Sequence, residues 1–175
     1  CLAREGVQIH SLIVAMGFEM DVFLDDSIII LYSRFGWMVD ARRAFACMKW
    51  KDIVSWNSLI TGYVQHNLVQ EAHVLFKLMP EKDAVSWTSM VVGFANRGWM
   101  RGSVDLFEQM PGKDEVAWTA VISSLATNGV YLSAVRWFCR MAREGCKPNT
   151  VAFSCLLSAL TSLTTLNQGM QAHAY

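Results

Sequence analysis

Four small polar residues, Asn57, Thr88, Thr119 and Ser154, stand at matching points of a sequence that repeats itself. A second set, Asp52, Asp83, Asp114 and Asn149, closes each repeating segment just before the next one begins. Their chemistry is hydrogen bonding. Asn, Thr and Asp carry the donors and acceptors that can meet a Watson–Crick edge. Covalent chemistry has no support. No Ser/His/Asp or Cys/His grouping is present, and no glycine-rich loop that could cradle a phosphate. His10, His66, His73 and His173 share no metal-ligand spacing, so neither a metal nor another cofactor is expected.

The elements that must position these residues follow from the period. Displaced by thirty-one residues, the chain meets itself: Trp56 recurs as Trp87 and Trp118, and Phe45 as Phe76, Phe107 and Phe138. Met48, Met79, Met110 and Met141 keep the same interval, as do Ala41, Ala72, Ser103 and Ala134. A period of this size belongs to stacked supersecondary units, each too small to bury its own apolar face. In residues 53–83, helical spacing runs through Trp56, Leu59, Ile60 and Tyr63, and again through Val69, Ala72, Leu75, Phe76 and Met79. That predicts helices over roughly 54–65 and 69–79, joined by a short turn at His66-Asn67. Pro80, Pro111 and Pro148 fall between units, where a helix must stop, and Gly36, Gly98 and Gly129 fall in the turns within units. The expected class is all-α: an α-solenoid, a right-handed superhelix of antiparallel helix-turn-helix repeats. Phasing on the tryptophans gives repeats 22–52, 53–83, 84–114 and 115–149, in one continuous array with partial repeats at 1–21 and 150–175. The last of these should supply a first helix and most of a second.

Composition agrees. Hydrophobic residues make up 53% of the 175 and charged ones 17%, as helices covered on two sides require. Fifteen basic residues balance fifteen acidic ones, which argues against a general polyanion binder but leaves room for a reader of base edges. Five cysteines without a CxxC pair point to buried free thiols in a reducing compartment. The uncharged stretches 116–135 and 148–175 are laced with Ser, Thr, Asn and Gly and stay in phase with the repeat, so no membrane span is expected. Cys1 and Tyr175 both fall in mid-pattern, as in a fragment of a longer protein.

Four phrases carry a family likeness: DARRAFACMKWKDIVSWNSLITGY (40–63), EKDAVSWTSMVVGF (81–94), KPNTVAFSCLLSAL (147–160) and EGVQIHSLIVAMGFEMDVFL (5–24). Together they resemble the pentatricopeptide repeat family, specifically the plant PLS-type subclass that mixes repeats of different length. The likeness implies single-stranded RNA as partner, read at one base per repeat. It further implies that the fifth residue of a repeat and its last residue select the base. Asn57 with Asp83 then resembles a uracil reader, Thr88 with Asp114 a guanine reader, and Thr119 with Asn149 an adenine reader. Asp26 with Asp52 departs from the common pairs, and the partners of Asp21 and Ser154 lie beyond the sequence. The implied partial target is 5′-N-U-G-A-3′. Family members clamp each base between apolar side chains at the second position, where this chain has Phe23, Val54, Val85, Val116 and Val151. At the thirteenth position, where a basic residue commonly meets phosphate, only Arg34 matches; Gln65, Asn96 and Thr127 do not. Lys51, Lys82 and Lys113 are further candidate phosphate contacts.

The resemblance also implies a mitochondrion or plastid, and a role in addressing C-to-U RNA editing, alone or beside other RNA-editing factors. Catalysis would rest in a zinc deaminase domain whose H-x-E and P-C-x-x-C signatures this sequence lacks, so the chain is expected to be no enzyme and to take no small-molecule substrate. The competing function is a helical-repeat scaffold for protein–protein interaction. Structural roles compete residue by residue as well. Asn57, Thr88, Thr119 and Ser154 sit where residues cap helices. The tryptophans suit packing between hairpins as well as base stacking, the Met ladder suits the core, and Asp25 suits a helix start.

Overall fold

The computed structural model describes residues 22–172; the expected partial repeat at 1–21, and His173 near the other end, lie outside the described residues. Among the described residues the regular elements are all helices, joined by short turns and loops, with no strand. First helices are α1 (Val22–Arg34), α3 (Ile53–Gln65), α5 (Ala84–Asn96), α7 (Glu115–Thr127) and α9 (Thr150–Ala172). Second helices are α2 (Met38–Cys47), α4 (Val69–Leu78), α6 (Met100–Gln109) and α8 (Tyr131–Arg143). The chain divides into two compact units, Cys1–Met90 and Val91–Tyr175, with the boundary inside α5.

Each hairpin turns in the same way. Gly36, Asn67, Gly98 and Gly129 all adopt positive φ, between 64° and 77°. The next residue donates its N–H five positions back: Trp37 to Tyr32, Leu68 to Tyr63, Trp99 to Phe94 and Val130 to Leu125, at 2.8–2.9 Å. This left-handed closure satisfies carbonyls that a helix end otherwise leaves open, and glycine or asparagine adopts it at least cost.

The expected turn within 150–175 is absent, and α9 runs unbroken from Thr150 to Ala172. Counting from the start of α9, the turn position falls on Thr164. A β-branched residue is strained at positive φ, so the helix continues.

In the first unit, consecutive hairpins lock through aromatic pairs. Phe45 meets Trp56 and Phe76 meets Trp87 edge-on, with ring centroids 4.8 and 4.9 Å apart. Between the first helices, α3 approaches α1 closely at Gly62, where an added Cβ would lie 2.5 Å from Ser33 Oγ. Met48, Met79, Ala41 and Ala72 are buried, as the repeat pattern requires.

The second unit repeats the device. Phe107 meets Trp118 at 4.6 Å, and Trp137 closes on both rings. Arg140 lies over Trp118 and Trp137 and pairs with Glu108, tying α8 to α6; its hydrogen bond to Glu108 holds that carboxyl below the usual range. The tryptophans that bridge hairpins therefore pack, Trp118 fully buried and Trp56 and Trp87 half-buried.

The thiols differ from expectation. Cys47, Cys139, Cys146 and Cys155 are free, but Cys47 and Cys139 are exposed. Cys47 shares its register with exposed Leu78 and Gln109, and Cys139 with exposed Lys77 and Glu108, on faces of the second helices turned away from the core. No helix among the described residues is long and apolar enough to cross a membrane.

Gly62→Ala should destabilise the protein by about 1–3 kcal/mol through overpacking against Ser33. A drop in the urea midpoint with an unchanged slope checks it.

Candidate functional site

The residues that close each repeat are the caps of the next first helix. Asp52 accepts from Ser55 N at 2.9 Å, Asp83 from Ser86 N at 2.9 Å, Asp114 from Ala117 N at 2.7 Å and Asn149 from Ala152 N at 2.8 Å. At Asp52 the box is reciprocal, since Ser55 Oγ accepts the Asp52 N–H. Capping therefore falls to the last residue of each repeat and not to the fifth. The Asp-x-x-Ser spacing at 52–55 and 83–86 already carried that signal.

The fifth residues stand one turn further along. In the first unit, Asn57 Nδ2 donates to both oxygens of Asp83, 3.0 Å each, while Asn57 Oδ1 is buried without a partner. Burial alone would raise the Asp83 carboxyl, but hydrogen bonds from Ser86 N–H and Asn57 outweigh it and hold it below the ordinary value. One carboxylate thus starts a helix and orients an amide.

Asn57 and Asp83 open into a cavity of about 460 Å³, which Val54, Val85, Arg34 and Gln65 also line. The second unit holds a similar cavity of about 710 Å³, lined by Thr119, Asn149, Val116, Val151, Asn96 and Thr127 among others. Thr119 donates to Glu115 O at 2.8 Å, which uses its one hydroxyl hydrogen and leaves the oxygen as an acceptor. Arg97 lines this cavity too, its guanidinium 5.6 Å from the Trp99 ring. Sequence reasoning missed Arg97, because it stands one place after the position searched for a basic residue.

The second-position residues are the clearest anomaly in burial. Val54, Val85, Val116 and Val151 are 53%, 54%, 57% and 52% exposed, and Phe23 is 76% exposed. Single exposed apolar residues are ordinary. Here the same register is uncovered in every repeat, and the four valines flank the polar pairs that line the two cavities.

Other expected site residues behave differently. Thr88 is half-buried in the first unit, and Asp114 caps α7 in the second. Ser154 is exposed on α9. Asp26 is buried, at 7% exposure, and its Oδ1 has no hydrogen-bond partner. Burial pushes its carboxyl above the usual range, the Ser55 hydroxyl opposes this, and the negative charges of Asp52 and Asp25 add to it.

The lysines named as candidate phosphate contacts sit at the ends of the second helices. Lys51, Lys82 and Lys113 donate to the carbonyls of Met48, Met79 and Met110 and sit 5.2–5.4 Å from the ring centroids of Phe45, Phe76 and Phe107. A cation at a helix C-terminus meets free carbonyls and the negative end of the dipole, and an aromatic face adds to the attraction. These ammonium groups are anchored to the second helices. No group of three or more His, Cys, Asp or Glu among the described residues could hold a metal.

The chain matches the PPR repeat over residues 26–53, 54–83 and 85–114, and the PPR repeat family over 113–162. A mitochondrial pentatricopeptide repeat-containing protein of Arabidopsis thaliana is 66% identical over 97% of this chain and 24% of its own length. A chloroplastic one from the same plant is 41% identical over 36% of this chain and 12% of its own. The chain spans about a quarter or less of the length of these curated relatives. The crystal structure of the pentatricopeptide repeat protein PPR10 from maize matches with a TM-score of 0.78 at 16% identity, covering 93% of this chain and 25% of that one. PPR10 in complex with an 18-nt psaJ RNA element matches at 0.75 and 18% identity, over 86% of this chain and 24% of the other. These likenesses show the fold, an all-α solenoid of helical hairpins.

Asp83→Ala should cost about 1 kcal/mol for the lost cap, and more because the Asn57 amide loses its acceptor. Asp83→Asn keeps the cap and should cost less. Acidification should remove the same contribution: the Asp83 carboxyl is lowered in the fold, so its stabilisation is present above the ordinary carboxylate value and fades as pH falls through the lowered one. Denaturation of both variants at neutral and acid pH checks the order.

Proposed function

This chain belongs to the pentatricopeptide repeat family, and we propose that it is a sequence-specific single-stranded RNA-binding array that reads one base per repeat. The observation that carries the reading is the uncovered valine register beside polar pairs in open cavities. Flat apolar flanks suit the faces of an unstacked base, and the polar pair suits its edge. The complex of PPR10 with RNA supports the same partner class.

Hydrogen-bond inventory supports the base choices. Asn57 donates to both Asp83 oxygens and lines the cavity. An amide carries the acceptor and donor that suit the N3–H and the adjacent carbonyl of uracil. At Thr119 and Asn149, the Asn oxygen is committed to Ala152 N–H. The Asn amide nitrogen is then a donor and the Thr hydroxyl an acceptor, which suits adenine N1 and its amino group. Asp114 offers carboxylate oxygens where Asn149 offers N–H, and with Thr88 it suits guanine, whose edge supplies two donors. The partial target is therefore 5′-N-U-G-A-3′. Arg34 and Arg97 supply phosphate contacts at the two cavities.

The whole protein acts in a mitochondrion or plastid, the compartments in the names of its relatives. In the PLS-type reading it directs C-to-U editing, with these repeats giving the address and any deaminase lying outside this chain. Other editing factors are its protein partners.

Thr88→Asn gives its repeat the fifth residue of the repeat at 53–83, with Asp closing both repeats. It should move preference at that nucleotide from guanine to uracil, by about 1–3 kcal/mol if RNA edges resemble groove contacts. Equilibrium binding to strands differing at that one base checks it. Unchanged preference would rule out the phasing, and equal affinity for all strands would favour a protein scaffold.

A further inference from the structure

Between the base edge and the phosphate of any nucleotide lies its sugar, and each cavity has a side chain at the matching height. On α3 the wall of the first cavity runs through Asn57, Thr61 and Gln65; on α7 the wall of the second runs through Thr119, Ser123 and Thr127. Successive members are four residues apart, about 6 Å along a helix. The polar pair stands at one end of each wall. An arginine stands at the other: Arg34 ends α1 beside the first cavity, and Arg97 follows α5 beside the second. Thr61 and Ser123 fall midway, and both carry a hydroxyl.

These two hydroxyls are bonded unlike their neighbours. Ser and Thr inside a helix can return the hydroxyl to the carbonyl four residues back. Thr119 does so to Glu115 O at 2.8 Å, and Thr127 to Ser123 O at 3.0 Å. Thr61 instead meets Ser89 Oγ at 3.3 Å, a contact that occupies one hydroxyl hydrogen of the two. Ser123 Oγ has no partner among the described residues and is open to the cavity it lines. Both residues are half-buried, so each hydroxyl belongs to a wall and not to open surface. Ser58 also lines the first cavity, but its counterpart in the second is Ala120. The hydroxyl that recurs in both units is at the ninth place of the repeat. In the repeats at 22–52 and 84–114 that place holds Ile30 and Val92, whose side chains cannot hydrogen-bond.

We propose that Thr61 and Ser123 hydrogen-bond the ribose 2′-hydroxyls of the nucleotides read as uracil and adenine, so that these two repeats tell RNA from DNA. A 2′-hydroxyl both donates and accepts, as a Ser or Thr hydroxyl does, and it is the group that deoxyribose lacks. The valine flanks and the polar pair hold the base, and the hydroxyl one turn further along meets the sugar. This rests on the base-reading function proposed above and adds the sugar to it. Sugar selection is uneven along the strand: present at the U and A nucleotides, absent at G, where Val92 stands in the ninth place.

The test uses the whole 175-residue chain and short unstructured RNAs containing 5′-NUGA-3′, each with one 2′-deoxyribose at U, G or A and its base unchanged. Fluorescence anisotropy should show affinity falling about two- to tenfold for deoxyribose at U or at A, the range of one hydrogen bond, with no loss at G. Thr61→Val keeps the shape and removes the hydroxyl. It should weaken the all-RNA strand by a similar factor, weaken the strand with deoxyribose at U no further, and keep the loss at A. Ser123→Ala should show the reverse pattern. Thr61→Ser should retain the loss at U, and so should Ser89→Ala, which removes the contact to α5 but leaves the Thr61 hydroxyl. Wild-type binding indifferent to deoxyribose at U and A overturns the inference. An equal loss at all three sugars does so too, as does a loss at U that Thr61→Val leaves intact. Base preference kept at U, G and A in those cases leaves base reading standing. Preference lost at every position removes the base reading as well.

Discussion

A single carboxylate with two tasks organises the boundary between the repeats at 53–83 and 84–114. Asp83 caps α5 through Ser86 N–H and holds the Asn57 amide with both oxygens. A helix end left with bare N–H groups is unfavourable, so the cap fixes where α5 begins to within one residue. The same contact fixes the orientation of the amide, because Nδ2 must face Asp83 and Oδ1 must face away. Folding and recognition thus share one hydrogen-bonding group. The geometry of the site is set by the requirement that the next helix start.

Constant spacing depends on a second repeated contact. Each bridging Phe–Trp pair lies edge-on at 4.6–4.9 Å, with a lysine over the Phe ring and on the preceding helix end. Aromatic pairs prefer such tilted arrangements, and the cation neutralises the negative end of the helix. Within each unit this places consecutive first helices at matched separation. The polar pairs and their valine flanks inherit that spacing.

Much of this was legible in the sequence because a repeat makes each residue a comment on its counterparts. The helix starts at 53, 84 and 115 follow from aligned Asp and Trp residues. The turn at Asn67 follows from three glycines in the same register. What escaped were features that the period itself disguises. Lys51, Lys82 and Lys113 recur at helix ends, a placement that sequence alone does not reveal. Arg97 escaped because it stands one residue out of register, and the missing turn near Thr164 because periodicity predicts a bend wherever the count says one belongs. Asp26 was visible as an exception, but its burial was not.

The cap at the end of each repeat also narrows what substitution can achieve. A last residue must be a small acceptor able to hold a backbone N–H, which confines it mainly to Asp, Asn, Ser and Thr. Any wider choice shifts the next hairpin before it alters which nucleotide is bound. The fifth residue carries no such duty, as the variety of Asp26, Asn57, Thr88, Thr119 and Ser154 illustrates. Drift in target preference across a lineage should therefore concentrate at the fifth place, while the closing residue changes within a four-letter alphabet set by helix formation.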